Sequence, residues 1–367
     1  MNHREFINWK KQFVAEAKKT KTPISGQFEL TPRCNLDCKM CYIHNQDSNK
    51  LKDLELTTEQ WKHIFNQACD MGMLFATLTG GECLLRNDFK ELYLHLINRG
   101  VMVSIISNGL LLDDDMISFF KSYPPVTIYV SVYGSCDTAY KNVTGHACFG
   151  RVLDALKRLK NSGLYFRVNV TPSSYIADDY INILKFLKDN GCTTNYAEFL
   201  ISKKRYDTDA TDHYLSVEQI EKLTIERYSL RGSIPIPVKC LPEVGGCAEE
   251  VELGLTCSAG NNLAFVNWEG KMYPCVTLFP YGGFSLLEMS YAEAWAKTVD
   301  ATQKIINPVE CNGCAYIKAC PKCIATRSPD LNSGHCDPQV CEYTKRLVAA
   351  GVKKLDKPQE DDEEIEH

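Results

Sequence analysis

Three cysteines stand close together in the run Cys34-Asn35-Leu36-Asp37-Cys38-Lys39-Met40-Cys41-Tyr42. Thiolates four and three residues apart can wrap one small metal centre. Three are too few for a closed structural zinc site, which takes four ligands. They suit a four-iron, four-sulfur cluster that keeps one iron free for an outside ligand. Two alternatives stay open on spacing alone: a zinc knuckle completed by His44, or three buried cysteines that bind nothing.

Cysteine is abundant elsewhere too, with 18 in 367 residues. The N-terminal stretch Met1 to Lys21 is charged and amphipathic and lacks the apolar centre of a signal peptide, so it reads as a leading helix of a cytoplasmic protein. The cytosol keeps thiols reduced, which leaves metal ligation or reactive chemistry to explain the excess. Ten cysteines fall between Cys240 and Cys341. Cys257, Gly270 and Cys275 form Cys-x12-Gly-x4-Cys, with a Trp268-Glu269-Gly270-Lys271 turn that points to a hairpin. Cys311-x2-Cys314-x5-Cys320-x2-Cys323 follows, and then Cys341 in Asp337-Pro338-Gln339-Val340-Cys341. A zinc ribbon would use two Cys-x2-Cys pairs and leave Cys257, Cys275 and Cys341 unexplained.

Such sites need elements to hold them. With 44% hydrophobic and 24% charged residues, the chain has apolar matter for a large core and length for two domains. Its apolar runs are too short for a membrane span. A net charge of −5 argues against nucleic acid as a main partner. From Gly26 onward, strand-like runs near 27–31, 74–79, 101–107, 126–131, 165–170 and 195–200 alternate with helical patterns near 58–71, 88–99, 113–121, 150–162 and 176–190. Thr57-Thr58-Glu59-Gln60 reads as a helix start. Six strands alternating with helices predict an α/β fold with a parallel sheet, curled into a partial barrel or open, with sites at the strands' C-terminal ends. The three-cysteine loop lies at the first such end. The expected division is an N-terminal helix over 1–25, the barrel over 26–234 and a Cys-rich domain over 235–346. The end of a helix and an acidic tail then occupy 347–367.

Other strand ends carry matching polar residues. Gly80-Gly81-Glu82 follows the second, Ser107-Asn108-Gly109 the third, and Ser131-Val132-Tyr133-Gly134 the fourth. With the cysteine run, this order resembles the radical S-adenosylmethionine (SAM) enzymes and implies a partial (β/α)6 TIM-type barrel. The resemblance implies that Cys34, Cys38 and Cys41 hold a cluster whose free iron binds SAM, which is split to a 5′-deoxyadenosyl radical. It implies that Gly80, Gly81 and Glu82 meet SAM's amino group. Ser107, Asn108 and Ser131 would serve its ribose or carboxylate, and Met40 and Tyr42 its adenine. The last third resembles the SPASM domain, which holds two auxiliary four-iron clusters. Carried over, Cys257, Cys275 and Cys323 serve the first, and Cys311, Cys314, Cys320 and Cys341 the second. The fourth ligand of the first is expected to be Cys247, with Cys240, Cys336 or an open iron as alternatives. Cys69, Cys83, Cys136, Cys148 and Cys192 are expected to be small core residues.

Auxiliary clusters accept electrons, so the resemblance implies oxidative cross-linking of a ribosomally made precursor peptide through C–S or C–C bonds. Partners would be that peptide and an electron donor such as flavodoxin or ferredoxin. Only 33 residues precede Cys34, so leader recognition is expected to need a separate protein, or else the core peptide alone must suffice. Formylglycine formation in sulfatases is the runner-up. The position after Cys275, where such enzymes carry an Asp base, is Val276. Small-molecule dehydrogenation, and an iron–sulfur electron carrier without catalysis, complete the alternatives. No residue is singled out as the catalytic acid or base.

Overall fold

Short β-branched runs separated by amphipathic helices leave one economical arrangement, a parallel sheet with helices on its face, and the computed structural model has it. It describes residues 3–43, 52, 55–196, 215–230, 254–328 and 333–355. The strands are β1 (Ser25–Glu29), β2 (Phe75–Thr79), β3 (Met102–Ser107), β4 (Thr127–Ser131), β5 (Phe166–Val170), β6 (Thr194–Tyr196), β7 (Leu263–Val266), β8 (Lys271–Tyr273) and β9 (Phe284–Ser285). They form one nine-stranded sheet in the order β6-β5-β4-β3-β2-β1-β7-β8-β9. The run from β1 to β6 is parallel throughout and does not close on itself, so the barrel is partial.

The helices between these strands match the expected segments to within a few residues. Helix Thr58–Asp70 starts with a capping box in which Thr57 accepts from the Gln60 backbone and Gln60 reaches back. Its buried face, Trp61, Ile64, Phe65 and Ala68, recurs at helical spacing and lies on the sheet. Phe28 of β1 meets Phe65 edge-on at 5.0 Å. Phe28, Leu78, Ile105, Val130 and Val168, one from each of β1 to β5, are fully buried and form the spine of the core. Helix Asp137–Thr144 was not expected. Thr, Asn and Asp weaken its helical signal, and only Tyr140, Val143 and Thr144 are buried.

β1 is not an edge strand. β7, from the predicted Cys-rich region, pairs with it in parallel, Ser25 opposite Leu263 and Phe28 opposite Val266. β7 and β8 form the expected hairpin, whose turn is fastened by the Asn267 side-chain oxygen accepting from the backbone of Glu269 and Lys271. The C-terminal helix Pro338–Ala349 packs against helix Val217–Leu230. Tyr343 and Thr224 share a hydrogen bond at 3.4 Å, and Arg346 pairs with Glu218 and Glu221. The expected boundary at 234 and the acidic tail lie outside the described residues. Among the described residues, no helix is long and apolar enough to cross a membrane.

Candidate active site

The cysteine loop leaves β1 under tight main-chain control. The β1–β2 ladder continues past both strands: Leu30 N–H donates to Thr79 O at 2.9 Å, Gly81 N–H to Thr31 O at 2.8 Å, and Glu82 N–H to Arg33 O at 2.8 Å. This closeness is what the two glycines permit. A Cβ on Gly80 would stand 2.4 Å from Thr31 O, and one on Gly81 2.4 Å from Arg33 O and 2.5 Å from Pro32 O. The glycines therefore press β2's end against the residues leading into Cys34.

A buried ionic network braces the same lead-in. Arg33 binds Glu55 through Nε at 2.6 Å and Nη2 at 3.0 Å. The Glu55 carboxylate also accepts from Thr31, and Arg86 reaches Glu55, Asp88 and the carbonyls of Leu30 and Leu56. On the far side, Asp37 N–H donates to Thr144 O and Lys39 N–H to Val143 O, both at 3.0 Å. The unexpected helix Asp137–Thr144 thus offers its free C-terminal carbonyls to the loop.

Cys34, Cys38 and Cys41 are half-buried and face one another closely enough for their charges to interact. Burial, with repulsion from Glu82 and Cys41, pushes the Cys34 thiol up to about 12. Burial and the other two thiols push Cys38 up as well. Three mutually repelling, desolvated thiols fit a centre that supplies positive charge, as an iron–sulfur core does. Among the described residues, no three Cys, His, Asp or Glu side chains converge as ligands of a single ion. Cluster thiolates bind different irons, so they need not converge on one point. His44 lies outside the described residues.

The remaining strand-end residues gather around Glu82. Its carboxylate, 1% exposed, accepts from Ser107 Oγ at 3.0 Å, Asn108 N–H at 2.7 Å and Leu84 N–H at 3.1 Å. Asn108 in turn donates to Asn35 at 2.7 Å and lies 3.7 Å from Cys34 Sγ. Glu82 therefore ties the ends of β2 and β3 to each other, and Asn108 ties them to the cysteine loop. Burial raises the Glu82 carboxyl to about 7 against the pull of its three donors. The folded chain then keeps a proton that the unfolded chain releases above about pH 4.5. This group's contribution to stability accordingly falls as pH rises from about 4.5 to about 7, by at most roughly 3 kcal/mol. In urea titrations of the cluster-free chain, Glu82→Gln should remove that slope. The wild-type advantage over the variant should therefore shrink from about pH 5 to about pH 8, and a constant gap would refute this.

The other sequence-predicted residues fall nearby. Met40 is buried in the core, and Tyr42 donates its hydroxyl to the fully buried Glu29 at 3.0 Å. Ser131 ends β4, and Tyr133 follows two residues on. Tyr133 itself senses all three cysteines and was missed as a site residue. The signal for it, one aromatic two residues past a strand end, is too common to read. Cys83 is fully buried with its thiol toward the carbonyls of Leu78 and Ile106, which marks it as core. Cys148 is also buried. Cys136 is exposed just before helix Asp137–Thr144, so its expected core placement is corrected.

In the last third, Cys257, Cys275 and Cys323 lie near enough to one another for their charges to interact. Cys257 and Cys275 pack against a small core of Ala259, Leu278, Ile305 and Ile324. Burial pushes the Cys275 thiol up to about 11. Cys311, Cys320 and Cys341 interact in a second group. Cys314 sits against Tyr316, Ala319 and Val348. Cys240 and Cys247 lie outside the described residues.

Comparison with known proteins bears on the class to which this loop and these strand ends belong. Residues 28–187 match the family model of the Radical SAM superfamily. This stretch is a radical SAM domain, which implies a four-iron, four-sulfur cluster and SAM. Over 329 residues the chain is 25% identical to an AdoMet-dependent heme synthase of Methanosarcina barkeri, covering 83% of this chain and 92% of that one. It is 29% identical over 164 residues to the sporulation killing factor maturation protein SkfB of Bacillus subtilis, covering 44% of this chain and 39% of SkfB. Among solved structures, Streptococcus suis SuiB bound to S-adenosylmethionine shares the fold with a TM-score of 0.64 at 16% identity, covering 92% of this chain and 82% of SuiB.

Proposed function

We propose that the chain is a radical SAM enzyme with two auxiliary clusters that oxidatively cross-links a ribosomally made precursor peptide. One observation carries the oxidative part: two further groups of interacting thiols in the last third, Cys257, Cys275 and Cys323 in one and Cys311, Cys320 and Cys341 in the other. Loaded with cluster and SAM, the site supplies hydrogen abstraction from carbon. Closing a new bond on the substrate radical then releases one electron and one proton, and a second redox group can take the electron. The cysteine loop, Met40, Tyr42, Gly80, Gly81, Glu82, Ser107, Asn108 and Ser131 hold the reactants and exclude water. Glu82, with its carboxyl near neutrality, becomes fully charged beside an ammonium group. The likeness to SkfB supports a peptide as substrate. A flavodoxin or ferredoxin would deliver the first electron, and a thiol-rich chain of this kind belongs in the reducing cytoplasm.

The extent of the match to the heme synthase, which spans most of both chains, favours a second reading: oxidation of a small molecule in heme formation. Anaerobic reconstitution is expected to give about twelve irons per chain, four per cluster. A value near four, or zinc instead, would sink the auxiliary-cluster reading. Incubation of the reconstituted enzyme with SAM, reductant and short peptides encoded beside its gene separates the substrates. A peptide product lighter by two hydrogens supports the first reading. Consumption of a porphyrin without any peptide change supports the second.

A further inference from the structure

The face of the sheet that turns away from the helices carries a buried cation with no acid beside it. We infer that this cation, Arg167 of β5, anchors a carboxylate of the substrate at the open side of the partial barrel. The inference deepens the proposed function, and it rests on the substrate being seated inside the curve of that sheet, next to SAM.

Strand register fixes the side on which Arg167 stands. Val168 and Val170 of β5 lie in the core with the helices, so Arg167 and Asn169 face the other way. Arg167 is opposite Tyr129 of β4, and Asn169 is opposite Ser131, at the strand end that the proposed function gives to SAM. Two residues of strand separate these levels, a rise of roughly 7 Å. Asn169 accepts from Asn195 Nδ2 of β6 at 3.0 Å. Arg167 Nη2 reaches Thr194 O, also of β6, at 3.5 Å. β6 is an edge strand of the open sheet, so the guanidinium is turned toward the gap in the barrel.

The surroundings of the guanidinium do not satisfy it. Arg167 is 9% exposed, its Nε has no hydrogen-bond partner, and among the described residues no carboxylate pairs with it. Its neighbours on this face, Tyr129, Ser131, Asn169 and Asn195, are all neutral. Among the described strand residues on this face of β1 to β6, the one acid is Glu29. It stands on β1 with three strands between, and its carboxylate already accepts from Tyr42. A buried guanidinium cannot shed its proton, so burial without a counter-charge is costly. A substrate carboxylate supplies the missing charge and an acceptor for Nε, and its two oxygens match the planar fork. An acidic peptide side chain and a carboxylate-bearing small molecule both offer this chemistry.

The test uses the full-length chain, reconstituted anaerobically, as wild type, Arg167→Met and Arg167→Lys. Calorimetry reads the binding of two probe pairs. One is an end-blocked Gly-Gly-Glu-Gly-Gly peptide against its Gln counterpart, the other protoporphyrin IX against its dimethyl ester. Wild type should bind at least one acidic probe about tenfold more tightly than its neutral counterpart. Arg167→Met should remove that preference, and Arg167→Lys should keep part of it. Preference for the glutamate peptide assigns the carboxylate to a peptide, and preference for the free porphyrin assigns it to a small molecule. Equal binding within both pairs by wild type, or a preference that survives in Arg167→Met, overturns the inference. So does a loss confined to SAM binding, which would give Arg167 to SAM's own carboxylate. Urea unfolding of the ligand-free chain separates an anchor from a brace. A cation left unsatisfied for a ligand costs the empty chain stability, so Arg167→Met should unfold at the same or higher urea. A lower midpoint, or a variant that fails to fold, marks a brace and overturns the inference. If wild type shows the preference but forms no 5′-deoxyadenosine from SAM and reductant, the carboxylate site stands and the proposed function fails.

Discussion

Replacing Cys34, Cys38 and Cys41 together by alanine is expected to abolish 5′-deoxyadenosine formation from SAM and to remove about four irons per chain. The physical reason is that no other described side chains stand where the loop places these thiols. The variant should still fold. The loop is held by the Arg33–Glu55 pair and by main-chain bonds to Thr144 and Val143, none of which uses a cysteine. Removing three small sulfurs costs little beside that framework, since thiols raised this far above their usual range are neutral in the cluster-free chain and carry no charge interaction to lose. Urea unfolding and iron content measured on the same sample separate the two effects. Persistent SAM cleavage would refute the assignment of the first site.

Gly81→Ala is expected to do nearly as much damage without touching a ligand. The added Cβ would fall 2.4 to 2.5 Å from two main-chain oxygens of residues 32 and 33. Backbone atoms cannot rotate aside as a side-chain tip does. The lead-in to Cys34 must then move, breaking the 2.8 Å bonds of Gly81 and Glu82 and shifting Glu82 from Ser107 and Asn108. Overpacking of this kind costs about 1 to 3 kcal/mol, and the cluster loop bears the displacement. The variant should unfold at lower urea and retain less iron after reconstitution. Gly150→Ala is the matching control. Gly150 lies in helix Phe149–Ser162 with open space around it, so alanine there should stabilise by up to about 1 kcal/mol. A Gly81→Ala protein with wild-type stability and iron would show that the loop has slack.

Much of this architecture is legible from local pattern. The strand and helix alternation, the Thr57 cap and the β7–β8 turn each leave a mark within a few neighbouring residues. The strand ends that converge on Glu82 were legible for the same reason, since a parallel sheet places all such ends on one rim. What escaped reading is long-range. Pairing of β1 with β7 joins residues more than two hundred positions apart, and parallel pairing has no turn to announce it. Docking of the cysteine loop on Thr144, Tyr133 beside the thiols, and the bond from Cys336 N–H to Glu310 likewise depend on how distant segments close. Glu82 shows a different limit. Its place after the second strand was legible, but its three internal donors, which make it a joint between strands, are visible only in three dimensions.

The pairing of β1 with β7 also sets a distance. The cysteine loop follows the C-terminal end of β1. Cys257 precedes β7 and Cys275 follows β8, which runs back, so both lie toward the opposite end of the same ladder. A strand of five residues spans roughly 17 Å. The cysteine loop and the Cys257–Cys275 pair therefore stand about one strand length apart, along a hydrogen-bonded bar and not across a hinge. The gap is written into the number of residues in β1.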